Sequence, residues 1–248
     1  MQPMREGRAS VELGKIVKSD SHVRYLCQVY STGEVAAPPQ PEDFAFGAFV
    51  RVPLRAGGAD VAALAPFAPG ADALADTGTP DLWAVGVVYD TLLVNPAFGT
   101  LGPRLSNDDQ VRLFSPDYLS ERATLINILL LGTLAQPAQS GRGPARGACV
   151  VRHGVPPVAP DLSAVVSTLP EADVRAFHYF GEAGAPGHGT AYLHMGYLPH
   201  IVAQQNPLLP MVVLHIIERL EAMFPANAAL LSIVKRNFAW RLKVQSAG

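Results

Sequence analysis

Residues Leu82 to Val94 read LWAVGVVYDTLLV, a run that is β-branched and apolar on both faces. Such a run marks a strand that needs cover on each side. Two further segments alternate with a period of two. In VRYLCQVY, Val23, Tyr25, Cys27 and Val29 share one face, and in FAFGAFVRV, Phe44, Phe46, Ala48, Val50 and Val52 do the same. That is the pattern of half-buried strands. Upstream, VELGKIVK reads as a first strand, with Gly14 allowing a bulge or a tight bend. ACVVRHGVPP reads as another short strand that runs into prolines. The loop STGEVAAPPQPED lies between the second and third strands.

Residues 56–81 are small, Gly- and Pro-punctuated and almost free of basic groups, as in a surface excursion, and 135–147 reads as a flexible loop. Ser106 with Asp109, and Ser115-Pro116-Asp117, carry helix-start signals. Beyond residue 168 the pattern becomes helical. Thr168-x-x-Glu171 has the spacing of a capping box and opens a helix predicted to run to Tyr179. After the Gly-rich GEAGAPGHG, two helices are expected. Val212, Val213, Ile216, Ile217, Leu220 and Phe224 form the stripe of the first. Leu230, Leu231, Val234, Phe238 and Leu242 form that of the second.

Charge and composition narrow the function classes. Nineteen basic residues against 21 acidic ones give a formal charge of −2, without the strong positive footprint of a dedicated nucleic-acid binder. Two cysteines, Cys27 and Cys149, cannot build a disulfide framework, and a reducing cytoplasm is expected. The N-terminal stretch lacks the apolar region of a signal peptide. The most apolar runs, Leu125 to Leu134 and Pro207 to Ile217, fall short of the roughly 20 residues of a membrane helix.

No motif for a cofactor or for catalysis emerges. The only Gly-Lys pair, Gly14-Lys15, lies in a strand without the phosphate-loop spacing, and no Gly-x-Ser-x-Gly elbow exists. GRGPARG, residues 141–147, precedes a strand where a dinucleotide fingerprint must follow one. His188, His194 and His200 recur at intervals of six, flanked by His178 and His215. The i, i+4 spacing that aims two imidazoles at one zinc ion is absent, so they stand only as candidates for a metal-dependent enzyme. Asp90, Asp108 and Asp109 are better read as structural than as an acid–base pair. The terminal helix packs Lys235, Arg236, Arg241 and Lys243 into nine positions with Phe238 and Trp240 interleaved. Such a pattern can track a phosphate backbone and stack bases, and Lys15, Lys18 and Arg24 would add to it. The better reading is structural, because cations at a helix C-terminus oppose the macrodipole and Phe238 belongs to the buried stripe.

In order, ELGKIVKSDSHVRYLCQVY, FAFGAFVRV, LWAVGVVYDTLLVNP, ATLINILLLGTL and HGVPPVAPDLSAVV resemble the HAS-barrel. That barrel is the N-terminal domain shared by HerA-type DNA-translocating ATPases and the ATP synthase catalytic subunits. The likeness covers about residues 11–168. It rests on a G-x-[IV]-V strand, a G-V-V-Y-D strand, an apolar strand ending in Leu-Gly and a proline-rich exit. It decides ATLINILLLGTL, whose periodicity suits a buried helix or strand equally, in favour of strand. The expected fold is therefore α+β: a small β-barrel over 1–168, with excursions near 56–81 and 135–147, then a helical region over 169–248.

In HerA-type ATPases the barrel feeds a RecA-like motor. Here only about fifty residues follow AYLHMGYLPH, so no motor is expected and no catalytic residue carries over. What the resemblance implies is the barrel's role in ring assembly and in contact with partners such as a nuclease. A non-catalytic interaction or assembly module is expected, accessory to a HerA-like ATPase or to DNA processing, with direct nucleic-acid binding as the alternative. The two excursions and the basic end of the last helix are its candidate docking surfaces. The apolar stripes of the last two helices need burial, which oligomerisation can supply.

Overall fold

The computed structural model describes residues 10–55, 81–94, 123–136, 149–180 and 192–246. The N-terminal part is a closed barrel of six strands: β1 (Glu12–Ser19), β2 (Arg24–Val29), β3 (Phe49–Pro53), β4 (Asp81–Val94), β5 (Ala123–Gln136) and β7 (Val165–Thr168). All pairings are antiparallel. Around the barrel the order is β1-β2-β5-β4-β3-β7, and β7 returns to β1. Closure removes the free edges that an open sheet presents. A seventh strand, β6 (Val150–His153), pairs with β5 at Gly132–Ala135, beyond the Leu125–Leu129 stretch that β2 holds.

The two 14-residue strands form the barrel's long wall. They pair from Asp81↔Gln136 to Val94↔Ala123, with register breaks at Val85/Gly86 and Val88/Asp90. Every residue of β5 from Ile126 to Ala135 is buried. That explains why its sequence lacks alternation: one face lines the barrel interior, and neighbouring elements cover the other. Tyr25, Cys27 and Val29 are buried, as their spacing in β2 predicts.

FAFGAFVRV departs from the expected single strand. Pro41–Phe44 forms a turn of 3-10 helix, Gly47 turns the chain at φ +82°, and only Phe49–Pro53 is extended. Phe49 and Val50 are both buried rather than alternating. The reason is cover on the outside. The Phe49 ring meets His178 edge-on at 5.3 Å and lies 5.4 Å beneath the Arg219 guanidinium.

The helical part comprises α1 (Glu171–His178), α2 (Leu198–Val202), α3 (Leu209–Met223) and α4 (Ala228–Ser246). A two-stranded ribbon, β8 (Tyr179–Phe180) with β9 (Tyr192–Leu193), lies between α1 and α2. α1 starts at Pro170, with no side-chain cap. The expected capping role of Thr168 fails because its hydroxyl is taken. It accepts the Val11 N–H at 2.9 Å, sealing β7 onto the start of β1.

The α3 stripe is buried as predicted, with Leu209 and Met223 added. In α4, Leu231 is fully buried and Val234 and Phe238 pack against the core, whereas Leu230 lies outside. A single apolar cluster runs from Leu13 in β1 to Leu231 in α4, so barrel and helices share one core. The expected helix starts at 106–117, and the segments 56–80 and 137–147, lie outside the described residues. No helix among the described residues is long and apolar enough to cross a membrane.

Candidate functional site

The histidines that invite a metal reading are disposed otherwise. His194 follows β9 and stacks face to face on His153, with ring centroids 4.6 Å apart and planes within 5°. His200, on α2, uses Nε2–H to donate to the Leu130 carbonyl of β5 at 3.1 Å. His215, on α3, stands edge-on to Phe46 at 5.2 Å. His188 lies outside the described residues. Among the described residues, no group of three or more His, Cys, Asp or Glu side chains could hold a metal ion.

What the chain does assemble is a buried histidine–tyrosine array that spacing did not reveal. His178, at the end of α1, has no exposed surface. Its Nδ1 lies 2.7 Å from the Val174 carbonyl, which can only accept, so Nδ1 carries the proton. Nε2 is then an acceptor, and the Tyr197 hydroxyl donates to it at 2.7 Å. By the same logic His153 donates from Nε2 to the Phe177 carbonyl at 2.8 Å, and its Nδ1 accepts the Gly196 N–H at 2.9 Å. Both rings are neutral, each fixed in one tautomer. Burial holds the His178 imidazole down at about 3 and the His153 imidazole at about 4. With both nitrogens of each ring engaged, the array clasps the 192–201 segment to α1 and β6. Replacing Tyr197 with Phe leaves Nε2 of His178 buried without a donor. The expected cost is about 1–3 kcal/mol in denaturant unfolding, and a loss well under that range would show that the hydroxyl is not the donor.

A second polar cluster joins β3, β4, β5 and α1. Arg51 Nη1 lies 3.2 Å from Asp173 Oδ2, Gln136 Nε2 donates to Asp173 Oδ1 at 2.7 Å, and the Arg51 guanidinium covers the Trp83 ring at 4.3 Å. Burial lifts the Asp173 carboxyl above its ordinary range, although Arg51 and Gln136 both pull it down. Of the two thiols, Cys27 is fully buried and pushed up to about 12, and Cys149 is also raised by burial, so neither is an activated nucleophile. Asp90 sits at a bulge of β4 and accepts the Thr91 N–H at 2.8 Å; Asp108 and Asp109 lie outside the described residues. A groove of about 370 Å³ beside β1 and β2 is lined by Lys15, Tyr30, Glu34 and Ser163 among others.

The basic terminal helix divides into two faces. Toward α3 it turns Leu231, Val234 and Phe238. Lys235 joins that side, 3.0 Å from Glu218 and 3.3 Å from Glu221, and both carboxylates hold its ammonium above its ordinary range. Lys235 and Phe238 are thus engaged within the fold. On the other side Arg236 is exposed, and Leu230, Ile233 and Trp240 remain 56%, 48% and 65% exposed. Arg241 and Lys243 fall on the last turns of α4, and their side chains lie outside the described ones. Sequence reasoning missed this outward face because it placed Leu230 with the buried stripe.

No curated protein matches the chain. The sequence does match one family over residues 2–62 and 75–247, so the match takes in the barrel strands and the helices alike. It passes over residues 63–74, inside the Ala/Gly/Pro-rich excursion. With most of its length matched, the chain belongs to the family described as a domain of unknown function, DUF8166.

Proposed function

We propose that this protein is a non-catalytic interaction and assembly module that works in the cytoplasm as an accessory to a HerA-like ATPase or DNA-processing complex. The observation that carries this reading is the outward face of α4, where Leu230, Ile233 and Trp240 stay exposed while the other side packs Leu231, Val234 and Phe238 against the core. Large apolar side chains aligned on one exposed face mark a contact surface more often than scattered ones do. The closed barrel supports the reading from the other side, because closure leaves rims, loops and appended helices as the surfaces for docking. The resemblance to the HAS-barrel supplies the machine, since in those families the barrel serves ring assembly and partner contact. Two free cysteines suit the reducing compartment.

The test is affinity purification of the tagged protein from its own host, with and without nuclease, read by mass spectrometry. Recovery of the same ATPase or nuclease in both samples is expected. Repeated recovery of no protein partner overturns the reading. Partners lost on nuclease treatment favour direct nucleic-acid binding instead, with Arg236 and Trp240 as the exposed candidates.

A further inference from the structure

The outward face of α4 has a composition that says what it is built to meet. At roughly 100° per residue, Leu230, Ile233, Arg236, Asn237 and Trp240 fall within one arc, and Leu231, Val234, Lys235 and Phe238 fall on the opposite side. The arc runs about 15 Å along the axis, nearly three turns. The whole of α4, from Ala228 to Ser246, contains no acidic residue and four cations. Lys235 is already neutralised by Glu218 and Glu221, whereas Arg236 makes no ion pair among the described residues. The face is therefore an apolar stripe with an unanswered positive charge beside it.

Resting on the assembly reading above, we propose that this face docks an amphipathic helical segment of a protein partner, one whose apolar stripe covers Leu230, Ile233 and Trp240 and whose flanking carboxylates answer Arg236. The choice of occupant follows from charge and chemistry. A second copy presenting the same face would set its own Arg236 against this one, and α4 carries no carboxylate to answer either. A phosphate backbone has no use for Leu230 and Ile233, and the internal ion pairs have already taken Lys235. A lipid surface needs an unbroken apolar face, but here Asn237 sits between Ile233 and Trp240, and its amide asks for a hydrogen-bonding partner that hydrocarbon lacks. A helix with Leu at i, i+3, i+4 and i+7, flanked by Glu, meets each of these demands.

The experiment uses the full chain and Trp240 as reporter. The other tryptophan, Trp83, lies under Arg51 in the barrel wall, and W240F assigns the signal. The probe is a synthetic helical peptide with a Leu stripe and Glu flanks. It is compared with the same peptide carrying Lys flanks, with one carrying Ser in place of Leu, with vesicles of phosphatidylserine and phosphatidylcholine, and with a single-stranded oligonucleotide. The Glu-flanked peptide is expected to shift Trp240 emission to the blue in a saturable, salt-weakened titration. The Lys-flanked and Ser-substituted peptides are expected to bind at least about tenfold more weakly. I233D, at an exposed position, is expected to weaken binding of the Glu-flanked peptide by a similar factor without changing the unfolding curve.

Equal binding of the Lys-flanked peptide, binding only of vesicles or oligonucleotide, or no peptide binding at all overturns the proposal. So does a dimer in sedimentation that I233D dissociates. If I233D recovers the same host proteins as the natural chain, the assembly reading stands and this face is the wrong surface. If the natural chain recovers none while the peptide binds as expected, the face stands and the assembly reading falls.

Discussion

Lowering the pH from 7 to 5 is expected to destabilise the protein by about 3 kcal/mol, measured as a fall in the denaturant midpoint at constant slope. The cause is two neutral imidazoles, His178 fully buried and His153 half-buried. His178 titrates at about 3 and His153 at about 4 in the folded chain, and both titrate near 6.5 when unfolded. Below 6.5 the unfolded state binds protons that the folded state refuses, so stability is complete above that value and drains away as the pH falls toward the folded values. Each fully buried imidazole contributes about 2 kcal/mol over this window. His153 is only partly shielded and contributes the smaller share. His200, also lowered by burial, acts in the same direction. Asp173, whose carboxyl is raised, takes up its proton more readily when folded and offsets part of the loss at the acid end. His153→Gln is expected to cost stability at pH 7 yet flatten the pH dependence by a third to a half. Identical midpoints at pH 7 and 5 for the natural chain would show that these rings are not held neutral by the fold.

The largest single-site effects are expected at two glycines of the barrel wall. A Cβ added at Gly14 would lie 1.8 Å from the Gln28 carbonyl oxygen, and one at Gly132 would lie 2.1 Å from that of Arg152. Both obstacles are backbone atoms of a paired strand, which cannot swing aside as a flexible side chain can. Gly14 stands opposite Val29 of β2 and Val166 of β7, and Gly132 opposite Val85 of β4 and His153 of β6, so each has a strand on both sides. Gly14→Ala and Gly132→Ala are each expected to cost about 3 kcal/mol or more, or to prevent folding, read by the denaturant midpoint or by the yield of folded protein. Gly33→Ala provides the contrast. That residue has φ +100° but nothing within 4 Å, so only backbone strain of about 1 kcal/mol is expected. Equal small losses at all three positions would show that the strands have room to part at Gly14 and Gly132.

What the sequence made legible depends on how local the cause is. The strand β2, the first part of β4 and the helix α3 were readable because burial on one face, or on both, is written into neighbouring residues, whereas Leu92, Leu93 and Val94 at the end of β4, read as covered on both sides, are exposed. β5 was half-readable: apolar length identified a buried element, and only the likeness to a known barrel separated strand from helix. Features whose partners lie far along the chain were not readable at all. Thr168 has the spacing of a helix cap, but its hydroxyl serves Val11, 157 residues earlier. His153 is positioned by Phe177 and Gly196, and no interval among the histidines encodes that meeting. Lys235 counts as one of four basic residues in the sequence, and only the fold shows that Glu218 and Glu221 already hold it. Leu230 and Leu231 are adjacent and chemically equal. Which one faces inward is set by where α3 lies, and that is a tertiary fact.

The seam between β1 and β7 governs the order in which the molecule can be made. β1 spans Glu12–Ser19, but its second neighbour, Val165–Thr168, leaves the ribosome some 150 residues later. Until then the nascent sheet has two raw edges and an uncovered outer wall, the state in which strands find wrong partners. Closure must also overcome the entropy of a loop that contains every strand from β2 to β6, which puts the seam among the slow, late contacts. The cover from α1, α3 and α4 arrives later still, because those helices follow the seam in sequence. A chain interrupted before residue 168 therefore carries most of the barrel's apolar surface with no means of enclosing it. In a living cell, the passage from synthesis to closure is the interval in which this protein most needs chaperoning.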